Sequence, residues 1–160
     1  MTPTIFTFGY EGLSIETFIR RLDVERISNV IDVRAMPLSR KRGFSKTSFR
    51  EALRRAGIEY AHMPLLGCPK VVRDRYKSDG DWTAYTRSFE AYLTCQTSAV
   101  TELAAAVAGA KSCLVCFEAD FSMCHRTFVA RAAARHLKGA TVAHLTSQTV
   151  IPDLVVHAAA

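Results

Sequence analysis

Short apolar runs alternate with segments of helical period along nearly the whole chain, and that alternation restricts the fold more than any other feature. Thr4 to Phe8 reads as a strand ended by Gly9. Ser14 then caps a helix with Ile15, Phe18, Ile19 and Leu22 along one face. Asn29 to Arg34 is a second strand, followed by a loop and a helix that Thr47 or Ser48 starts and Gly57 stops. Ile58 to His62 is a third strand. Met63 to Gly80 reads as irregular, broken by Pro64, Gly67, Pro69 and Gly80. Asp81 caps a helix carrying Trp82, Tyr85, Phe89 and Leu93, and Thr97 or Ser98 begins another that runs to Val107. A strand at 112–117, a helix over Thr127 to Leu137 and a strand at Thr141 to Leu145 follow. Residues 146–160 read as a short helix or a mobile tail. Strands separated by helices pair in parallel, because parallel neighbours need crossover connections. The expectation is an α/β fold: a single three-layer domain over residues 1–160, with a mostly parallel sheet of about five strands and helices on both faces.

A chain of 160 residues with 49% hydrophobic content can bury a core without disulfides or metals. No apolar run approaches membrane-spanning length, and Glu11 and Glu16 interrupt the N-terminal region, so neither a membrane partner nor a signal peptide is expected. Five irregularly spaced cysteines then point to reduced thiols and a cytoplasmic location. The net charge of +6 is local. Residues 34–55 hold eight cations against Glu51 alone, which leaves the remainder at −1. Such a segment attracts phosphates or acidic partners, or it is a solvated loop and helix face.

In parallel α/β sheets, polar sites gather beyond the carboxyl ends of the strands. Here those ends are Gly9-Tyr10, Asp32 with Arg34, His62, Glu118 and His144. Asp32 and Arg34 lie two apart, on one strand face, where they form an ion pair that orders the loop or presents Arg34 to an anion. Ser39-Arg40-Lys41-Arg42 with Phe44 combines cations, a hydroxyl and a ring, a mixture suited to a phosphate with a base to stack. Glu118 ends an apolar strand and needs a partner, for which Arg126, Arg34 or His125 would serve. Cys124 is placed in the first turn of its helix, with Asp120 or Ser122 near the cap. The helix terminus and Arg126 would lower its thiol pKa; the competing reading is a small packing residue. His125 serves as a general acid or base, or donates to a carbonyl.

Other motifs fail. Cys113-x-x-Cys116 resembles half a zinc site, but residues three apart on a strand face opposite sides. A metal held by Cys116, Cys124 and His125 ranks below the acid–base reading, and no metal is expected. A phosphatase-type loop would need arginine six positions after Cys124, where Ala130 stands. Arg73 is five positions after Cys68, but Pro69, Val71 and Val72 make a poor anion cradle. No Gly-rich nucleotide loop occurs, and the residues name no cofactor.

Several short pieces in order carry a resemblance. They are Phe8-Gly9-Tyr10-Glu11-Gly12 with Ser14; Ile31-Asp32-Val33-Arg34 with Pro37, Ser39, Arg40 and Phe44; Gly57-Ile58-Glu59-Tyr60; Leu66-Gly67; and Cys116-Phe117-Glu118 with Cys124-His125-Arg126. Together they resemble the bacterial and archaeal family known as domain of unknown function 488. The resemblance implies a compact α/β domain and brings no reaction with it. One departure is Cys68-Pro69 after Leu66-Gly67, where a further glycine is expected.

The residues themselves point to an enzyme acting on nucleic acid or another phosphate-bearing substrate. Tyr10, Arg34, Ser39, Arg40 and Arg126 would bind the substrate, and Glu118 and His125 would move protons. Asp32 would orient Arg34, and Cys124 is a nucleophile or a packing residue. The alternative is a non-catalytic module that binds a nucleotide or a partner's acidic tail with the same cluster. The sequence leaves the oligomeric state open.

Overall fold

A computed structural model describes residues 2–155. Its sheet contains β1 (Thr4–Gly9), β2 (Asn29–Asp32), β3 (Glu59–His62), β4 (Ser112–Cys116), β5 (Thr141–Leu145) and β6 (Val150–Pro152). The order across the sheet is β3-β2-β4-β1-β5-β6. The first five run parallel, and β6 is antiparallel to β5. Six α-helices among the described residues pack around it: α1 (Ile15–Val24), α2 (Lys46–Arg55), α3 (Lys70–Asp79), α4 (Trp82–Thr94), α5 (Thr97–Gly109) and α6 (His125–Arg135).

The period-two alternation of strand side chains creates two cores. Phe6, Phe8, Val30 and Val115 face one side, where Phe18 and Leu22 of α1 and Phe49 and Leu53 of α2 cover them. Ile5, Ile31, Leu114 and Val142 face the other, beneath Phe89 of α4, Leu103 of α5 and Val129 of α6. The result is the three-layer α/β arrangement that the alternation implies. No helix among the described residues is long and apolar enough to cross a membrane.

Four local readings change. The stretch read as irregular contains α3, a ten-residue helix with no buried residue and therefore no apolar stripe to reveal it. Its supposed breakers are its boundaries: Pro69 stands at its start, and Gly80 closes it at φ 65. The second strand stops at Asp32, two residues before Arg34. Cys124 is not inside its helix but at the N-cap, in extended conformation, and Asp120 caps the preceding 3-10 turn, Phe121–Met123. Where residues 146–160 were read as a helix or tail, β6 forms first, since its pairing with β5 places Asp153 against buried His144, and Leu154 and Val155 after it are helical. The last part of that segment, residues 156–160, lies outside the described residues.

Candidate functional site

β4 lies at the middle of the sheet with all five residues buried, so its carboxyl end delivers Cys116 beneath the surface. The chain turns outward at Phe117 and Glu118, passes through the 3-10 turn and re-enters at Cys124 and His125. This return brings four polar side chains together. Glu118 Oε2 accepts from Cys116 Sγ at 3.2 Å and from Cys124 Sγ at 3.3 Å. His125 Nδ1 lies 3.7 Å from Cys116 Sγ and 3.9 Å from Cys124 Sγ. The other ring nitrogen, Nε2, stands 2.8 Å from the Val33 carbonyl oxygen and must donate to it. In its neutral form the imidazole turns its Nδ1 lone pair towards the sulfurs, and in its charged form Nδ1 donates to them.

The return loop is held from three directions. Arg126 is fully buried, and its guanidinium donates to the carbonyl oxygens of Glu118 and Ala119. Glu11 Oε1 accepts from Ala119 N at 3.0 Å. Gly9 lets the loop pass, since a Cβ there would sit 1.7 Å from the Glu118 oxygen. Phe8-Gly9-Tyr10-Glu11 thus works on the far end of the chain, shaping the loop that carries Glu118.

Electrostatics within the cluster are strongly coupled. Burial raises the Glu118 carboxyl pKa, and a negative Cys124 would raise it further. The hydrogen bond to Cys124, together with burial, raises the Cys116 thiol. Burial opposes ionisation of Cys124, yet its bonds to Cys116 and His125 outweigh that and bring it well below an ordinary thiol. Burial likewise opposes a charged His125, while the Cys124 thiolate favours it and wins.

Above the cluster opens a cavity of about 520 Å³ at the carboxyl edge of the sheet. Tyr10, Arg34, Ser39, Arg40, Glu118, Cys124 and His125 from the sequence reading all line it, whereas Asp32 and Arg126 lie behind the wall. Arg34 is largely committed to the fold. Its guanidinium donates to both Asp32 oxygens at 2.8 and 2.7 Å, to Tyr10 Oη at 3.0 Å and to the Phe44 carbonyl at 2.7 Å. Ser39 Oγ accepts from Lys41 N at 3.1 Å and so orders its own loop.

Arg73, Tyr76 and Lys77 of α3, with Trp82 and Tyr85 of α4, complete the wall. Sequence reading missed all five as site residues. The signal lay in spacing: Arg73, Tyr76 and Lys77 share a helix face only if 70–79 is helical. Arg73 Nε is buried without a hydrogen-bond partner. Among the described residues, Glu118 is the one acidic residue on the wall, against Arg34, Arg40, Arg73 and Lys77.

The sequence pattern of the family described as Domain of unknown function DUF488 matches residues 14–133. The chain belongs to this family. The DUF488 segment spans the loop after β2, the α3–α4 wall and the return loop, and so contains every side chain of the cavity except Tyr10. No curated protein and no solved structure matches the chain.

Proposed function

We propose that this DUF488 protein is an enzyme acting on nucleic acid or another phosphate-bearing substrate, in the cytoplasm, where its thiols stay reduced. All five cysteines are free, which fits that compartment. The observation that carries the reading is the make-up of the cavity. Cations and aromatic rings form its rim, and the Glu118–Cys124–His125 cluster forms its floor. Cations neutralise phosphate, and rings such as Trp82 and Tyr76 offer a face on which a base can stack. Arg40, Arg73 and Lys77 are the anion-binding groups in this reading, because Arg34 is spent on Asp32, Tyr10 and Phe44. Glu118 is the proton-handling group at the cavity surface. His125 acts on the two thiols, since its other nitrogen is used by Val33.

Fluorescence anisotropy with a short single-stranded oligonucleotide tests binding, and a panel of oligonucleotides and phosphate esters tests turnover. Arg73→Ala with Lys77→Ala should weaken binding at low salt by at least about tenfold. Glu118→Gln should keep binding and abolish turnover. An oligonucleotide that fails to bind at low salt, or binds the double variant equally well, sinks the nucleic-acid reading. Binding with no turnover of any panel member favours the non-catalytic module.

A further inference from the structure

We propose that Cys116 Sγ, Cys124 Sγ and His125 Nδ1 form a binding site for a zinc-class metal ion, with a fourth coordination position open to the cavity beside Glu118. The three ligand atoms lie within 4.8 Å of one another. Bonds of about 2.3 Å to sulfur and about 2.0–2.1 Å to nitrogen, at tetrahedral angles, separate sulfur from nitrogen by about 3.6 Å. The observed sulfur–nitrogen separations are 3.7 and 3.9 Å, so these pairs contract by a few tenths of an ångström, while the two sulfurs, within 4.8 Å of each other, draw in to about 3.8 Å on loading.

The surroundings fit as well as the distances. A metal-binding imidazole needs its other nitrogen held by an acceptor, which fixes the tautomer and aims the lone pair. Val33 O is that acceptor, at 2.8 Å from Nε2. Phe89 packs edge-on against the ring at 5.5 Å and limits its rotation. Cys116 sits on a central strand and Cys124 at a helix N-cap, so rigid elements carry both sulfurs. All three residues are buried yet line the cavity, which supplies an entry path.

Two thiolates and a neutral imidazole are soft and borderline donors, which select zinc over magnesium or calcium. Two negative sulfurs also cancel the charge of a divalent ion, so the occupied core is neutral. Binding forms two metal–sulfur bonds and one metal–nitrogen bond. It releases two protons, one from the Cys116 thiol and one from the Cys124–His125 pair, which leave for solvent past the Glu118 carboxylate, and no atom changes oxidation state. Three protein ligands with an open fourth position are the arrangement of catalytic rather than structural zinc. Glu118 Oε2 touches both sulfurs and faces the cavity, where it can take a proton from a water on the ion. The site deepens the proposed function but does not depend on the phosphate substrate.

The test uses the full chain, stripped with a chelator under reductant and titrated with zinc alone. Elemental analysis after desalting should count about one ion per chain. Cobalt in its place should give thiolate-to-metal charge-transfer absorption. Cys116→Ser, Cys124→Ser and His125→Ala should each lower affinity on the order of a hundredfold or more, while Cys68→Ser, Cys113→Ser and Glu118→Gln keep the stoichiometry. Circular dichroism checks that each variant folds. Alkylation of the wild type needs no variant: zinc should protect Cys116 and Cys124 and leave exposed Cys95 reactive. Substoichiometric zinc in the wild type, cobalt without a thiolate band, or no protection of the two thiols overturns the site. Oligonucleotide binding by the stripped protein is read separately, so loss of the metal site and loss of the phosphate reading are told apart.

Discussion

Asp32 has no exposed surface, and both its oxygens are occupied. Arg34 holds them in a two-point pair, and Tyr60 Oη donates to Oδ2 at 2.6 Å. Sequence reading left open whether this pair orders a loop or serves an anion. The hydrogen bonds of Arg34 to Tyr10 and Phe44 show that it ties the end of β1 to the loop after β2. Removing one partner of such a pair strands a buried charge, at a cost of about 3–5 kcal/mol. Asp32→Asn should therefore lower the urea midpoint far more than Tyr60→Phe, which loses one hydrogen bond to a charged group, about 1.5–3 kcal/mol. Equal midpoints for the two variants would contradict the account. Gly9 is decided by a close approach, because any side chain there overlaps the Glu118 carbonyl. Gly9→Ala should destabilise by at least about 1–3 kcal/mol, read as a lower thermal midpoint. The need for glycine was visible as a strand terminator, but the neighbour that imposes it lies more than a hundred residues away.

At the scale of elements, the closing hairpin of the sheet has its own electrostatic lock. His144 of β5 donates from Nε2 to Asp153 Oδ2 at 3.0 Å, and its Nδ1 accepts from Thr7 Oγ1 at 2.7 Å. Arg131 of α6 donates to the same carboxylate at 2.9 Å, and Phe121 stacks on the imidazole at 4.0 Å. Burial, together with Arg126 and Arg131, outweighs Asp153 and lowers the His144 pKa. Burial opposes the Asp153 charge, but Arg131 and His144 hold the carboxyl below its usual range. Both groups then bind protons more readily in the unfolded chain. Stability from His144 is complete above its unfolded pKa of about 6.5 and is lost as pH falls towards the lower folded value. Stability from Asp153 persists until pH falls below about 3.9. Urea midpoints should thus drop between about pH 7 and 5, and His144→Gln should flatten that slope. A slope unchanged in the variant would remove His144 from the account. The helix α3 teaches a related lesson: an element with no fully buried residue, only half-buried Val72 and Tyr76, leaves a weak apolar period, and its Pro and Gly boundaries were the legible part.

For the whole molecule, the basic segment disperses on folding. Arg34 goes inside, Arg42 pairs with Glu16, and Arg54 and Arg55 pair with Glu51. Arg40 is the exposed cation of that segment on the cavity wall, where Arg73 and Lys77 join it from elsewhere. Three phosphate contacts on a single strand predict a salt slope of about −2, at about −0.7 per contact. Eight contacts would give about −5 to −6. Anisotropy across a salt series distinguishes the cavity from the whole basic segment, and the steeper slope would refute the cavity as the binding surface.

The sequence by itself determined the order and type of nearly every element, because strand and helix periodicities are local and survive without tertiary contacts. It also placed Glu118, Cys124 and His125 at a strand end and helix start, since parallel α/β connectivity directs those ends to one edge. Tertiary structure decided the rest. It committed Arg34 and Arg126 to internal hydrogen bonds and turned His125 towards the thiols. It brought Arg73 and Lys77 over the site on a helix with no fully buried residue. It also folded the chain after β5 back as an edge strand to close on His144. These outcomes depend on which distant groups compete for each donor and acceptor, and that competition exists only once the layers have packed.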